Sequence, residues 1–147
     1  MALAQVEAGQ IAFSVAFREE TTLLADKVVK YSHIYTNHGG AYSKAAGIFR
    51  VPRNGMYVFN LHGKTQSGKE LHLDLYHNDK YLISAFTRDS SQSQSGANSV
   101  VLRLIKGDEI YVKTRGAASV FGRPETTYVV FNGFILGLLS IPDEYRD

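Results

Sequence analysis

Thr127–Leu139 reads TYVVFNGFILGLL, a stretch that is apolar on both faces of an extended chain. Side chains alternate across a strand, so Val129, Phe131 and Ile135 share one face while Tyr128, Val130, Phe134 and Leu136 share the other. An antiparallel strand ordinarily keeps one face wet. A strand apolar on both faces must be covered on both, by a sandwich core on one side and by something else on the other. The rest of the chain shows almost no helical periodicity to provide that cover, so the expected cover is another copy of the same chain. The alternative is a strand wholly internal to a larger sandwich. Asn132, Gly133 and Gly137 break the run, which is also shorter than the roughly 20 residues of a spanning helix, so no membrane insertion is expected.

The segments around this stretch share its period of two. Ile11, Phe13, Val15 and Phe17 alternate with Ala12, Ser14 and Ala16, whose small side chains allow a neighbour to approach closely. Tyr57, Phe59 and Leu61 oppose Val58, Asn60 and His62; Leu71, Leu73 and Leu75 oppose His72, Asp74 and Tyr76. Val100, Leu102 and Leu104, then Ile110 and Val112, repeat the pattern. Asn54-Gly55, Ser67-Gly68-Lys69, Asn78-Asp79 and Lys106-Gly107-Asp108 punctuate these runs as turns. Strands at this spacing predict an antiparallel sandwich or jelly roll. Arg88–Asn98 (RDSSQSQSGAN) and Gly116–Thr126 (GAASVFGRPET) read as loops, and Glu19–Gly40 as a third irregular region.

Composition narrows the function classes. The 147 residues amount to one domain, large enough to fold around a core without metal or disulfide. Lys and Arg number 16 against 14 Asp and Glu, with no block of like charge. A phosphate-tracking groove needs clustered cations, so nucleic-acid binding is not expected. Cysteine is absent, which removes thiol catalysis, thiolate metal sites and covalent dimers. The first residues, Met1–Glu7, lack the basic and apolar regions of a secretory signal.

Several segments, taken in order, resemble the globular domain of complement C1q. They are Ile11–Val15, Asn37–Tyr42, Gly47–Pro52, Asn54–Phe59, Leu71–Leu73, Val101–Leu104, Lys106–Glu109 and the closing Phe131–Leu136. The resemblance implies an all-β fold, a ten-stranded antiparallel jelly-roll sandwich like that of tumour necrosis factor, assembled as a compact homotrimer. It divides the chain into an N-terminal segment 1–9, a globular domain 10–139 and a C-terminal tail 140–147. Ala12, Ser14, Tyr128, Val130, Phe134 and Leu136 are the expected trimer interface. No collagen-like G-X-Y run precedes the domain, so the resemblance is to the stand-alone kind that invertebrates secrete in large sets.

Catalytic constellations are missing: no H-E-x-x-H, nucleophile elbow or phosphate-binding glycine loop occurs, and no enzyme activity is expected. His62, His72 and Asp74 would suit a transition metal if brought together, but they read better as solvated sheet-face residues. The resemblance implies a possible calcium site in the Arg88–Asn98 loop, with Asp89 and Gln94 as oxygen ligands; the alternative is a polar Ser/Gln-rich loop. Sugar recognition wants an aromatic platform with polar groups fanned around it. Tyr76, His77, Asn78, Asp79, Lys80 and Tyr81 offer this in one hairpin, while Arg88, Arg115 and Arg123 suit carboxylates or phosphates. The resemblance therefore implies a secreted, trimeric pattern-recognition lectin of innate immunity, binding microbial glycans or lipopolysaccharide. Its alternatives are a cytokine-like or adhesive ligand of a protein receptor, and an extracellular calcium-binding matrix component.

Overall fold

The chain was analysed as a computed structural model, which describes residues 9–66, 68–88 and 95–138. The strands run β1 Ala12–Phe17, β2 Thr21–Leu23, β3 His33–His38, β4 Tyr42–Ser43, β5 Ile48–Arg50 and β6 Gly55–Lys64. They continue with β7 Glu70–His77, β8 Lys80–Arg88, β9 Ser95–Leu104, β10 Glu109–Thr114, β11 Ala118–Val120 and β12 Val129–Leu138. Ten of them form two five-stranded antiparallel sheets, ordered β3-β1-β12-β6-β9 and β4-β5-β10-β7-β8, and β2 pairs with β11. This is the expected jelly-roll sandwich. No helix among the described residues is long and apolar enough to cross a membrane.

Alternation explains the core. Phe13, Val15 and Phe17 of β1, Tyr57, Phe59 and Leu61 of β6, Leu71, Leu73 and Leu75 of β7, and Ile110 and Val112 of β10 all point between the sheets and are buried. Phe13 lies at the centre of an aromatic cluster, its ring centroid 4.9 Å from Phe49, 4.9 Å from Phe131 and 5.2 Å from Tyr42. Burying one such ring contributes roughly 1.5–3 kcal/mol. β12 sits mid-sheet between β1 and β6, with Phe131 opposite both Val15 and Leu61. Its buried face therefore closes the core, as the opening stretch requires.

The irregular regions hold more structure than the sequence pattern showed. Residues 19–40 contain β2 and β3, residues 116–126 contain β11, and β9 begins at Ser95, inside the stretch 88–98 expected as a loop. β3 is an edge strand with a bulge opposite Ser14/Val15, so its HIYTNH sequence shows no clean alternation. Its pairing comes from β1. Ala16, expected on the outer face, is fully buried just past that bulge. At the other edge the two sheets meet along β8 and β9. A Cβ on Gly96 would lie 2.2 Å from the Phe86 carbonyl oxygen, so only glycine permits that approach. Asn98 donates to the Ser84 carbonyl across the same seam at 3.1 Å.

Candidate functional site

The outer face of the second sheet gathers three tyrosines and two cations. Register places Tyr111 of β10 opposite Tyr76 of β7, and Tyr76 opposite Tyr81 of β8. The Tyr111 and Tyr76 rings lie parallel with centroids 5.7 Å apart, and Tyr81 meets Tyr76 edge-on at 6.2 Å. Lys113, two residues along β10, returns on the same face with its Nζ 5.0 Å from the Tyr76 centroid and 5.8 Å from that of Tyr111. The Arg115 guanidinium lies 5.7 Å from the Tyr81 ring. Tyr81 remains 46 % exposed, the rim of a polar-edged aromatic surface.

Asp74 holds this surface in shape. It was expected to face solvent; it does lie on the outer face, but it is buried beneath its partners. Arg115 donates to Asp74 through Nε at 3.1 Å and through a terminal nitrogen at 3.2 Å, and the Ser84 hydroxyl donates to Oδ1 at 2.6 Å. His72 Nε2 stands 3.4 Å away. The Tyr81 and Ser84 hydroxyls are 2.6 Å apart, so the network extends from carboxylate to platform rim. The hydrogen bonds and charge of Asp74 raise the pKa of Arg115 above its ordinary value, fixing it as a cation.

The adjoining turn does structural work. Asn78 and Asp79 take positive φ values of 47° and 68°, the left-handed pair of a type I′ hairpin. Asn78 donates to Asp108 at 3.0 Å and accepts from the Glu109 N–H at 2.8 Å. Asp79 accepts from the Tyr111 hydroxyl. Burial and the Asp79 carboxylate push the Tyr111 phenol up to about 12. Of the expected hairpin ligands, Tyr76 and Tyr81 thus belong to the open surface and Lys80 pairs in register with His77 instead, whereas Asn78 and Asp79 tie the turn to β10 and the residues before it. His77 joins them, its Nε2 3.1 Å from Asp108 Oδ2.

The arginines disperse. Arg115 belongs to the platform; Arg88 pairs with Glu70 at 3.0 Å and lies beside Phe86, at the opposite end of the β7–β8 hairpin. Arg123 lies over Phe121 and lines a separate cleft with Arg18, Glu19, Glu20 and His33. Asp89 and Gln94 fall outside the described residues. His62 lies on the outer face of the first sheet and His72 and Asp74 on that of the second, so the transition-metal trio is not assembled. No group of three or more His, Asp or Glu suited to a metal occurs among the described residues.

The first sheet presents the other uncovered surface. Phe134 is 41 % exposed, Tyr128 45 %, Val101 52 % and Leu136 58 %. Phe134 and Val101 flank Val58 of β6 in register, with Ala12 of β1 on the far side. Val130 and Ser14 occupy the same face and are partly covered. A polar band crosses it, where the Asn60 amide donates to Asn132 at 2.8 Å. Of the six residues expected at a self-interface, register places Ala12, Ser14, Val130 and Phe134 on this one face, and Tyr128 and Leu136 are exposed near it in sequence.

A profile of the C1q domain matches residues 12–136, nearly the whole sandwich. The chain belongs to the C1q domain family. Complement C1q tumor necrosis factor-related protein 6 from Mus musculus is 26 % identical over 109 residues, and its Rattus norvegicus counterpart likewise. The match takes in 72 % of this chain but spans only 41 % of the length of each relative. Among solved structures, the globular domain of zebrafish complement 1qA superposes with a TM-score of 0.72 at 24 % identity, covering 88 % of this chain and 99 % of that one. Eiger TNF from S. frugiperda gives 0.72 at 14 % identity, covering 95 % and 99 %; murine APRIL gives 0.67 at 16 %, covering 86 % and 99 %. C1q and TNF-type jelly rolls thus share the fold of this C1q domain.

The sequence reading missed Lys113 and Tyr111 as site residues. Their alternation with Ile110 and Val112 was visible. What was not visible was the cross-strand register that sets them against Tyr76.

Proposed function

We propose that this C1q domain is an extracellular, homotrimeric, non-enzymatic binding protein that recognises anionic glycans of microbial surfaces. The observation that carries the reading is the Tyr76–Tyr81 platform with Lys113 and Arg115 laid across it. An exposed ring face packs on the C–H surface of a sugar, and a fixed guanidinium beside it pairs with a carboxylate or phosphate. The second sheet lies on the opposite side of the core from the apolar face of the first. Self-association through the first sheet would leave three platforms outward, and joined weak sites gain avidity on a repeating polymer. In this reading calcium is held by Asp89 and Gln94.

A glycan array probed with the wild-type protein, Tyr81→Ala and Lys113→Ala tests it. Selective binding to uronate-, sialate- or phosphate-bearing glycans is expected, weakened at least tenfold by either substitution and unchanged by Arg53→Ala at an exposed site between β5 and β6. A blank array, or binding indifferent to both platform variants, overturns the reading. The second reading, a ligand for a protein receptor, is favoured by the fold shared with Eiger TNF and APRIL. Capture of a receptor ectodomain alongside a blank array would establish it instead.

A further inference from the structure

Among the described residues, the self-association face carries histidines and no carboxylate. Along its rows, β3 contributes His33 and His38, β6 contributes His62 and Lys64, and β9 contributes Arg103. The other positions are Ala12, Ser14, Thr36, Val130, Asn132, Phe134, Met56, Val58, Asn60, Ala97, Ser99 and Val101. Among the described residues on this face there is no Asp or Glu to balance a new positive charge.

His62 sits inside the area any partner must cover. It lies on β6 between Val130 of β12 and Ala97 of β9, in the row that separates the Asn60–Asn132 pair from Lys64. The exposed apolar groups flank it on both sides: Tyr128 just before β12 and Phe134 on it, Val101 along β9. A body that buries both β12 and β9 cannot avoid β6. In the isolated chain His62 is exposed. The titratable or charged groups of the strands around it are Lys64 on its own strand, Arg103 on β9, and His33 and His38 three strands away on β3; β1 and β12 add none to this face.

We propose that self-association of this domain is gated by pH through His62, the neutral imidazole being accommodated between copies and the imidazolium expelled. Histidine is the side chain whose ordinary titration falls between pH 5 and 8. Burying a charge without a partner is costly, and among the described residues every charged group of this face is itself a cation or becomes one on acidification. Wherever the same face of a neighbouring copy packs against it, the same set is brought again. Each trimer takes up three protons on dissociating, so below the ordinary imidazole range its dissociation constant rises by up to about a thousandfold per pH unit.

This inference rests on the trimer reading, and one experiment separates the two. Light scattering coupled to size exclusion, at fixed concentration and at pH 7.5 and 5.5, is run on the wild type, His62→Gln and His62→Lys, with circular dichroism confirming the fold. The expected result is a wild-type trimer at pH 7.5 and monomer at 5.5, His62→Gln trimeric at both, and His62→Lys monomeric at both. A wild type monomeric at pH 7.5 overturns the trimer reading itself. A trimer that persists at pH 5.5, or acid dissociation undiminished in His62→Gln, overturns the switch and leaves the trimer standing.

Discussion

Replacing Gly133 with alanine isolates what the closing strand contributes to the core. Gly133 lies in β12 opposite Phe13 on one side and Phe59 on the other. A Cβ there would come 2.5 Å from Phe59 Cδ1, 2.8 Å from Phe59 Cε1 and 2.9 Å from Phe13 Cε1. Those rings are fixed in turn: Phe13 is held by Phe49 and Phe131, and Phe59 by Phe49 and Tyr57. The glycine's backbone is not in the left-handed region, so alanine meets a steric obstacle and no dihedral strain. Forcing a methyl into a filled core costs about 1–3 kcal/mol, and three contacts under 3.0 Å put this site at the upper end. Reduced freedom of the unfolded chain returns about 0.4–1 kcal/mol. The expected net loss is about 2 kcal/mol, a fall in Tm of about 4–8 °C for a domain of this size. Thermal unfolding followed by near-UV circular dichroism, at one protein concentration, measures it. Gly133→Ala combined with Phe59→Leu should recover part of the packing loss. An unchanged Tm in Gly133→Ala would refute the account of a filled aromatic core closed by a side-chain-free strand.

Other predictions follow from the hydrogen-bonded groups. Burial alone would raise the Asp108 pKa, but the Ile105 N–H, the Asn78 amide, and the hydrogen bond and charge of His77 outweigh it and hold the carboxyl below its ordinary value. The stability this confers is full above the ordinary carboxylate range and is lost as pH falls through the lowered value, so Asp108→Asn should flatten the acid limb of a stability–pH curve. Burial pushes the phenols of Tyr42, Tyr57 and Tyr111 up to about 12, so their contribution is full below about 10. It is lost as pH rises towards 12, and absorbance at the phenolate band should show these groups ionising together with alkaline unfolding. Asp74→Asn weakens the acceptor shared by Arg115 and Ser84 and should cost about 1–2 kcal/mol in urea unfolding. It should also weaken glycan binding by loosening Arg115, with His72→Ala having the smaller effect on both.

The sandwich was legible because its long strands obey strict alternation. Leu71, Leu73 and Leu75 point inward as their spacing demands, and the doubly apolar Thr127–Leu139 announced a surface awaiting a partner. β3 escaped because an edge strand needs only backbone hydrogen bonds on one side and carries polar residues on both faces. β11 escaped because three residues give no period to read. The candidate site was half legible. Tyr76, Lys80, Tyr81 and Arg115 were picked for their chemistry, and the fold brings Tyr76, Tyr81 and Arg115 together. Asn78 and Asp79 carry the same chemistry, but the left-handed turn aims it at Asp108, Glu109 and Tyr111 instead. Arg88 and Arg115 look alike in the sequence, and only tertiary pairing with Glu70 or Asp74 distinguishes them.

The two outer surfaces share no strand. The first is built from β1, β3, β6, β9 and β12, the second from β4, β5, β7, β8 and β10. Their side chains are separated by the full thickness of an aromatic core, so substitutions on one side touch no neighbour on the other and their effects should add. If the first surface assembles copies and the second recognises ligand, as proposed, such a layout makes assembly and recognition separately heritable. Gene copies that keep the first surface while diversifying Tyr76, Tyr81, Lys113 and Arg115 would retain the ability to co-assemble. A small repertoire of such chains would then yield a combinatorial set of mixed particles, each displaying a different trio of surfaces.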